Sequence, residues 1–321
     1  MFENFYSRVS GVAILALGLA WFNPSSAATI SGDATVKVTR GSELKGKSTL
    51  ALGSFRVAFV TQDAAAAATR GVFGGSAAKI SADLVGADRT LMQKIADAVY
   101  ADFLKQAAAK GYTVIDSQAL AKASPAYAAL APSDNFSAGR FGTFVIPSGQ
   151  RSVALASDAR TQAEKGTGGF AARFNIISDQ VAKAPAYDAF PVAAGQAGAP
   201  VLGVTIVVNF ANFKGSASLG GSQASLSVGA TIDGRNKNEI VPSTAILGWD
   251  KGTDSCALCQ AQFGLEGQIH SDAAIGTYNA SGAQNNQAGT VTVDPAAYEE
   301  NVLLVARQAI TLLLGAVAAE R

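Results

Sequence analysis

The sequence predicts a mixed fold of the α+β/α/β class, in which a crossover α/β layer is followed by antiparallel β-hairpins and a long C-terminal helix. Three observations predict it: a strand–helix–strand succession at residues 55–115, alternating hydrophobicity within residues 201–269, and an apolar helical stretch after residue 294. They divide the chain into a leader at residues 1–28, an α/β domain at 29–200 and a hairpin region with the terminal helix at 201–321.

The leader has the features of a cleavable export signal. Arg8 supplies a positive charge, residues 9–20 form an apolar core, and small residues follow Pro24 up to residue 28. The apolar core is about a dozen residues long, whereas a membrane-spanning helix needs about 20. We therefore expect an exported protein that resides in the periplasm or the outer membrane.

The α/β domain contains the clearest helix signal. Residues 55–60 form a predicted strand, and Asp88 is expected to cap a helix that ends near Gly111, because apolar residues recur four apart at Leu91, Ile95, Val99 and Phe103. A strand at residues 112–115 and a helix capped by Asp116 or Ser117 follow. This order predicts two parallel strands with the long helix on one face. The Ala- and Gly-rich residues 64–86 are predicted to form a loop or a marginal helix.

Four segments of alternating hydrophobicity follow, at residues 201–211, 226–232, 243–249 and 257–269. This pattern fits a half-buried antiparallel sheet that is covered by helices. It also fits tilted strands of about 9–11 residues that cross an outer membrane. In that second case the membrane-facing residues are Val204, Ile206, Val208, Phe210, Leu226, Val228, Ile232, Phe263 and Leu265.

The C-terminal stretch predicts a helix with a defined start. Asp294 is the expected N-cap and Pro295 the first helical residue, and the apolar pattern continues towards Ala319. Arg307 and Gln308 interrupt this pattern, which favours docking on the sheet over membrane insertion. Residues 279–288 are polar and are predicted to form a loop.

The composition argues against an enzyme and against nucleic-acid binding. Charged residues make up 15% of the chain, against a typical ~25%. The 25 Lys and Arg residues nearly balance the 24 Asp and Glu residues, so bulk charge attracts neither nucleic acid nor an anionic membrane. His270 is the one histidine in the sequence, which disfavours most Ser–His and zinc chemistry. We expect no cofactor and no resident metal.

Cys256 and Cys259 are the two cysteines of the sequence and form a candidate disulfide. In a regular strand their Cα atoms would be ~10 Å apart, so a disulfide requires a turn at Cys256. An unpaired or intermolecular thiol and a redox-active pair are the alternatives. A metal site that also uses His270 and Asp272 is disfavoured by an oxidising compartment.

The order of elements resembles the curli-type secretion channel family. The resemblance covers residue 55 to the C-terminus and includes the helix at Leu91, the hairpin at residues 201–232, the turn at 233–239 and the apolar terminal helix. It implies a periplasmic α/β domain from which each subunit contributes four strands to a shared barrel. Members of that family carry a lipid-modified cysteine at the mature N-terminus, whereas residues 27–30 of this chain contain none.

The resulting expectation is a non-enzymatic envelope component that forms a homo-oligomer, contacts the outer membrane and handles a secreted protein cargo. It would be a secretion-channel subunit or a periplasmic accessory. A soluble periplasmic binding or scaffold protein is the alternative. A thiol oxidoreductase would depend on Cys256 and Cys259 alone.

Overall fold

The computed structural model describes residues 28–39, 44–68, 76–138, 142–155, 185–218, 221–233, 244–248, 260–283 and 285–321. Within these residues the fold is mixed α/β, with two sheets and a long C-terminal helix. The strands are β1 (Ile30–Gly32), β2 (Thr35–Thr39), β3 (Thr49–Val60), β4 (Gln62–Ala68), β5 (Ala77–Val85), β6 (Thr113–Ile115), β7 (Ser137–Ala138), β8 (Gly142–Val145), β9 (Val201–Ser218), β10 (Gly221–Asp233), β11 (Thr244–Gly248), β12 (Gln260–Glu266), β13 (Gln268–Ser271), β14 (Gly276–Ala283) and β15 (Asn286–Val293). The helices are α1 (Arg89–Ala109), α2 (Ser117–Ala123), α3 (Pro125–Ala128), α4 (Pro185–Ala197) and α5 (Pro295–Ala319).

The larger sheet is organised around the long strand β9. Its first half pairs with β3 in parallel and with β11 antiparallel, and its second half pairs with β10 antiparallel. β12 and β13, separated by Gly267, pair with β11 and β10 respectively. β2 and β1 in turn pair with β12 and β13, so three rows of this sheet each consist of two strands placed end to end. β6 and β8 pair with the other side of β3.

One face of this sheet is covered by α1 and α5, which run parallel to each other. Three side-chain contacts between them join residues 205 positions apart: Lys94 to Glu299 at 2.7 Å, Asp102 to Arg307 at 3.4 Å and Gln106 to Thr311 at 2.8 Å. A constant separation of this kind requires two helices of the same direction in register. Beneath them lies the main core, in which the rings of Phe55 and Phe103 are 5.2 Å apart.

The opposite face is covered in part by α2, α3 and α4. Their core cluster contains Leu120, Tyr127 and Phe190, together with Leu155 and Val201. The hydroxyl of Tyr127 donates to the carbonyl of Gly53 at 2.7 Å and so ties α3 to β3. The sheet is therefore the middle layer between two sets of helices.

The predicted helix boundaries are confirmed. The carboxylate of Asp88 accepts a hydrogen bond from the Leu91 N–H at 2.8 Å and caps α1. Asp116 caps α2 in the same way, and Asp294 caps α5 with Pro295 as the first helical residue. Each cap satisfies an N–H group that has no partner within its helix.

The predictions for two segments are wrong. Residues 64–86 are predicted to form a loop or a marginal helix and residues 279–288 a loop, but their described parts contribute to the antiparallel pairs β4–β5 and β14–β15. β15 pairs in parallel with β5, which joins the two pairs into a second sheet in the order β14-β15-β5-β4. Small side chains explain the error, because Ala, Gly and Asn are depleted in strands generally.

In the fold of the single chain, the residues that the membrane-crossing alternative directs towards lipid are buried or partly buried. Val204, Ile206, Val208, Phe210, Ile232, Phe263 and Leu265 are each at most 2% exposed, and Leu226 and Val228 are partly buried against the same core. Val204 lies among Phe103 of α1 and Leu313 and Val317 of α5. The alternating pattern therefore reflects burial under helices rather than contact with lipid.

α5 is long and apolar enough to span a membrane by length and composition. In the structure it packs on β10, β12, β13 and β2, and it buries Tyr298, Val302, Val305, Ala309 and Leu313, among others. The leader residues 1–27, the turn residues 234–239 and both cysteines lie outside the described residues.

Candidate functional site

The second sheet and the far half of the β9–β10 hairpin form one structural unit, which we call the three-hairpin region (residues 62–68, 76–85, 209–218, 221–230, 276–283 and 285–293). The three hairpins point in the same direction. Ser76, just before β5, donates to Ser222 of β10 at 3.0 Å, and the Lys79 N–H donates to the Asn285 carbonyl at 2.9 Å. The described residues next to the three turns therefore lie close together.

β4 continues directly from β3 and stays close to β9. A Cβ added to Gly215 would lie 2.7 Å from the carbonyl oxygen of Ala66, so only a glycine allows this approach. The alanine run of β4 has the same effect, because short side chains permit two backbones to come close. Sequence bias towards Ala and Gly in this region is thus explained by packing.

A partly buried polar contact lies at the base of the three-hairpin region. Asn209 Nδ2 donates to the carboxylate of Asp63, and the Ala64 N–H donates to the same carboxylate at 2.7 Å. Burial raises the pKa of the Asp63 carboxyl, and the hydrogen bonds from Asn209 and Ala64 act in the opposite direction. This contact fixes β4 to β9 where the two sheets meet.

The outer face of the second sheet carries mostly small and polar side chains, aligned across its four strands, which we call the outer grid. Pairing registers align Thr277 with Thr292 and Asn279 with Thr290, and they align Thr290 with Asp83. The grid consists of Gln62, Ala64, Ala66, Ala68, Lys79, Ser81, Asp83, Val85, Thr277, Asn279, Ser281, Ala283, Asn286, Ala288, Thr290 and Thr292. Val85, at 46% exposure, is the one exposed large hydrophobic side chain among the described residues. The face therefore carries no apolar band of the kind that lipid requires.

β14 is an open edge of the second sheet. Among the described strands it pairs with β15 alone, in an unbroken register from Gly276 to Ala283. Neither β14 nor β15 contains a charged residue or a proline. Proteins that keep an edge strand unpaired usually protect it with charges, prolines or bulges. This edge shows none of these devices, which makes it the candidate functional site.

One edge of the larger sheet, at β2, is different. There Lys37 of β2 projects beside Glu266 of β12, with their charged atoms 3.7 Å apart. β2 is also short and is separated from β1 by Ala34 and Asp33. The chain thus protects one sheet edge and leaves another unprotected.

Ser31, His270 and Asp272 form a polar cluster where β1 pairs with β13. Ser31 Oγ donates to Asp272 Oδ1 at 2.8 Å and lies 2.7 Å from His270 Nε2, which is itself 3.4 Å from Asp272 Oδ1. Because the single hydroxyl hydrogen goes to Asp272, Nε2 of His270 donates to Ser31 Oγ. Nδ1 of His270 is buried and has no hydrogen-bond partner among the described residues.

This cluster does not have the geometry of a catalytic triad. In a triad the hydroxyl gives its proton to one ring nitrogen while the carboxylate contacts the other. Here the hydroxyl and the carboxylate share Nε2, and the hydroxyl donates to the carboxylate instead. The cluster fastens β1 to β13. Of the residues considered for a metal site, His270 and Asp272 are together, whereas Cys256 and Cys259 lie outside the described residues.

The site residues predicted from the sequence are therefore not the residues that form the open edge at β14. The nine apolar residues assigned to a membrane belong to the core or pack against it, and the open edge lies in segments predicted to be loops. A signal for these strands was present, because Ile80, Ala82 and Leu84 alternate with polar residues, as do Val291 and Val293.

Comparison with known proteins identifies no relative of this chain: no family model matches it, and neither the curated proteins nor the solved structures include a significant match.

Proposed function

We propose that this protein is a non-enzymatic component of the cell envelope that works as a homo-oligomer, as an outer-membrane secretion-channel subunit or its periplasmic accessory. The observation that carries the proposal is the unprotected edge strand β14 at the end of the three-hairpin region. An edge of this kind satisfies its N–H and C=O groups by pairing with another chain. The export signal predicted at residues 1–28 places that pairing outside the cytoplasm.

In the proposed fold, a crossover α/β layer comes first along the chain, and the antiparallel hairpins and the terminal helix follow it. The parallel pairing of β3 with β6 on either side of α1 supports this order. In the proposed assembly the helix-covered sheet is the body of each subunit, and the three-hairpin region makes the contact with neighbouring subunits or with a secreted polypeptide.

Fractionation of cells that express the full chain tests this function. We expect the protein in the membrane fraction, released by detergent as a complex several times the mass of one chain. A monomer that appears entirely in the periplasmic extract would contradict it. N-terminal sequencing of the same material tests whether the leader is removed near residue 28.

A soluble periplasmic binding or scaffold protein is a second candidate, and a specific observation favours it. The apolar faces of β9, β10 and β12 are covered by helices of the same chain, and Val85 alone among the described large hydrophobic side chains is exposed. This candidate predicts full release by osmotic shock. Membrane association that persists after a high-salt wash would contradict it.

The proposal assigns Cys256 and Cys259 to a structural disulfide. Labelling of the unfolded protein with a thiol reagent, before and after reduction, tests this assignment. We expect labelling only after reduction. Labelling without reduction would show free thiols and reopen the redox alternative.

A further inference from the structure

The open edge of β14 carries backbone N–H and C=O groups that no described strand pairs with. An edge strand in an antiparallel sheet directs the N–H and C=O groups of every second residue away from its neighbour. Over the eight residues of β14, about half of the backbone groups therefore point outward. No described strand receives them. A second β-strand is the partner that matches this alternation of donors and acceptors.

The chemistry of β14 restricts the partner further. The strand is neutral, and its outward side chains Thr277, Asn279, Ser281 and Ala283 are small and exposed. Its neighbour β15 is also neutral, so a charged peptide would find no complementary charge on either strand. Two copies of β14 placed side by side would meet no like charges, and on the outer face they would meet no bulky side chains. The protected edge at Lys37 lacks this self-compatibility, because pairing with itself would bring two lysines close together.

We propose that two copies of this chain pair through their β14 strands, antiparallel and around a two-fold axis. Identical strands that pair antiparallel make an isologous contact, in which each copy uses the same surface. The two second sheets then form one continuous sheet of eight strands, with the outer grid extended across both copies. This inference rests on the proposed homo-oligomer and identifies the contact within it; the pair is the unit from which a larger assembly would be built.

A charge placed at the middle of β14 tests the contact. In an Asn279→Lys variant the two new lysines lie near the two-fold axis and repel each other. We expect the dissociation constant of the pair, measured by sedimentation equilibrium on the purified full-length chain, to rise about ten-fold or more. The matched control is Thr292→Lys, which places the same charge on the same exposed face but on β15. We expect it to leave the dissociation constant within about two-fold of the original.

Hydrogen exchange of the unmodified chain gives a second test that needs no variant to fold. Amides of residues 276–283 should exchange more slowly as the protein concentration rises through the dissociation constant, whereas amides of β2 should not change. Oligomers of unchanged affinity in Asn279→Lys, with no concentration-dependent protection of β14, would overturn the β14 contact and leave the proposed homo-oligomer standing. A chain that is monomeric at every concentration, in buffer and in detergent, would overturn both.

Discussion

Tyr298 carries a hydroxyl group that is buried without a hydrogen-bond partner among the described residues. Such a group loses its bonds to water and gains none in the fold, at a cost of about 1–3 kcal/mol. We therefore expect Tyr298→Phe to raise the free energy of unfolding by about 1 kcal/mol. The measurement is the urea midpoint of the purified variant.

Tyr127 is the matched control for this substitution. It is equally buried, but its hydroxyl donates to the Gly53 carbonyl at 2.7 Å. Removing that hydroxyl leaves a buried carbonyl unpaired, so Tyr127→Phe should lower the free energy of unfolding by about 1–2 kcal/mol. Equal effects of the two substitutions would show that the hydrogen bond does not determine the outcome.

Buried tyrosines also predict how stability depends on pH. Burial raises the pKa of Tyr100 to about 12, with a further contribution from the nearby Asp116 carboxylate, and burial raises the pKa values of Tyr127 and Tyr298 as well. The neutral phenol is thus favoured in the folded state. Its contribution to stability is complete below the unfolded pKa of about 10 and is lost as pH rises through the folded value.

We accordingly expect the free energy of unfolding to be insensitive to these groups up to about pH 9 and to fall between about pH 10 and 12. The measurement is a series of urea titrations across this range. Tyr100→Phe should make the fall shallower, because one ionising group is removed. An unchanged slope in this variant would contradict the assignment to Tyr100.

At the scale of elements, the close approach of β4 to β9 depends on one residue. A methyl group at position 215 would meet the Ala66 carbonyl at 2.7 Å, and this backbone atom cannot rotate away. We expect Gly215→Ala to lower the free energy of unfolding by about 1–3 kcal/mol. The control is Gly264→Ala on β12, where no atom lies within 4 Å of the added Cβ. Thermal unfolding followed by circular dichroism compares the two, and equal losses would contradict the packing argument.

α5 gives a second test at this scale, because its first turn depends on Asp294. The Asp294 carboxylate accepts from the Ala297 N–H at 2.8 Å. Asp294→Ala should cost about 1 kcal/mol, and Asp294→Ser should restore most of that loss. Urea unfolding of the three proteins measures the difference. A serine variant as unstable as the alanine variant would argue that charge, rather than capping, is the source of the effect.

Helix boundaries could be predicted from the sequence, whereas the strands of the second sheet could not. Asp88 and Asp294 act through atoms within three residues along the chain, so the helix boundaries that they set are visible in local sequence. β4 and β14 pair within local hairpins, but the sheet that contains them depends on the pairing of β5 with β15, which are about 200 positions apart. Their alanines and asparagines have low strand propensity, and tertiary pairing overrides it.

For the whole molecule, the sequence could establish that one face of each strand in residues 201–269 is apolar but could not identify what covers it. A period of two is the same whether the apolar face meets lipid or a helix. The covering helices α1 and α5 are remote in sequence from each other and from much of the sheet. Their alignment along residues 205 positions apart is a property of the assembled fold. The sequence therefore left both alternatives open for the hairpins, while docking of the terminal helix on the sheet was predicted by its own polar interruptions.

Because helices cover the sheet, a substitution at Phe210 distinguishes burial in the core from contact with lipid. Phe210 is fully buried in the main core of the chain. Because a core aromatic is lost, Phe210→Ala should lower the free energy of unfolding in aqueous buffer by about 3–5 kcal/mol. A residue that faced lipid would instead leave the water-exposed body of the protein as stable as before.

The control for Phe210→Ala is Ser225→Ala, an exposed position on the same hairpin, which should change the free energy of unfolding by less than about 0.5 kcal/mol. Urea unfolding of both variants without detergent makes the comparison. If Phe210→Ala unfolds like Ser225→Ala in buffer and is destabilised only in bilayers, then the helices do not cover this sheet in the working protein. In that case the hairpin of β9 and β10 would have to leave the core to function, and α5 would have to move with it.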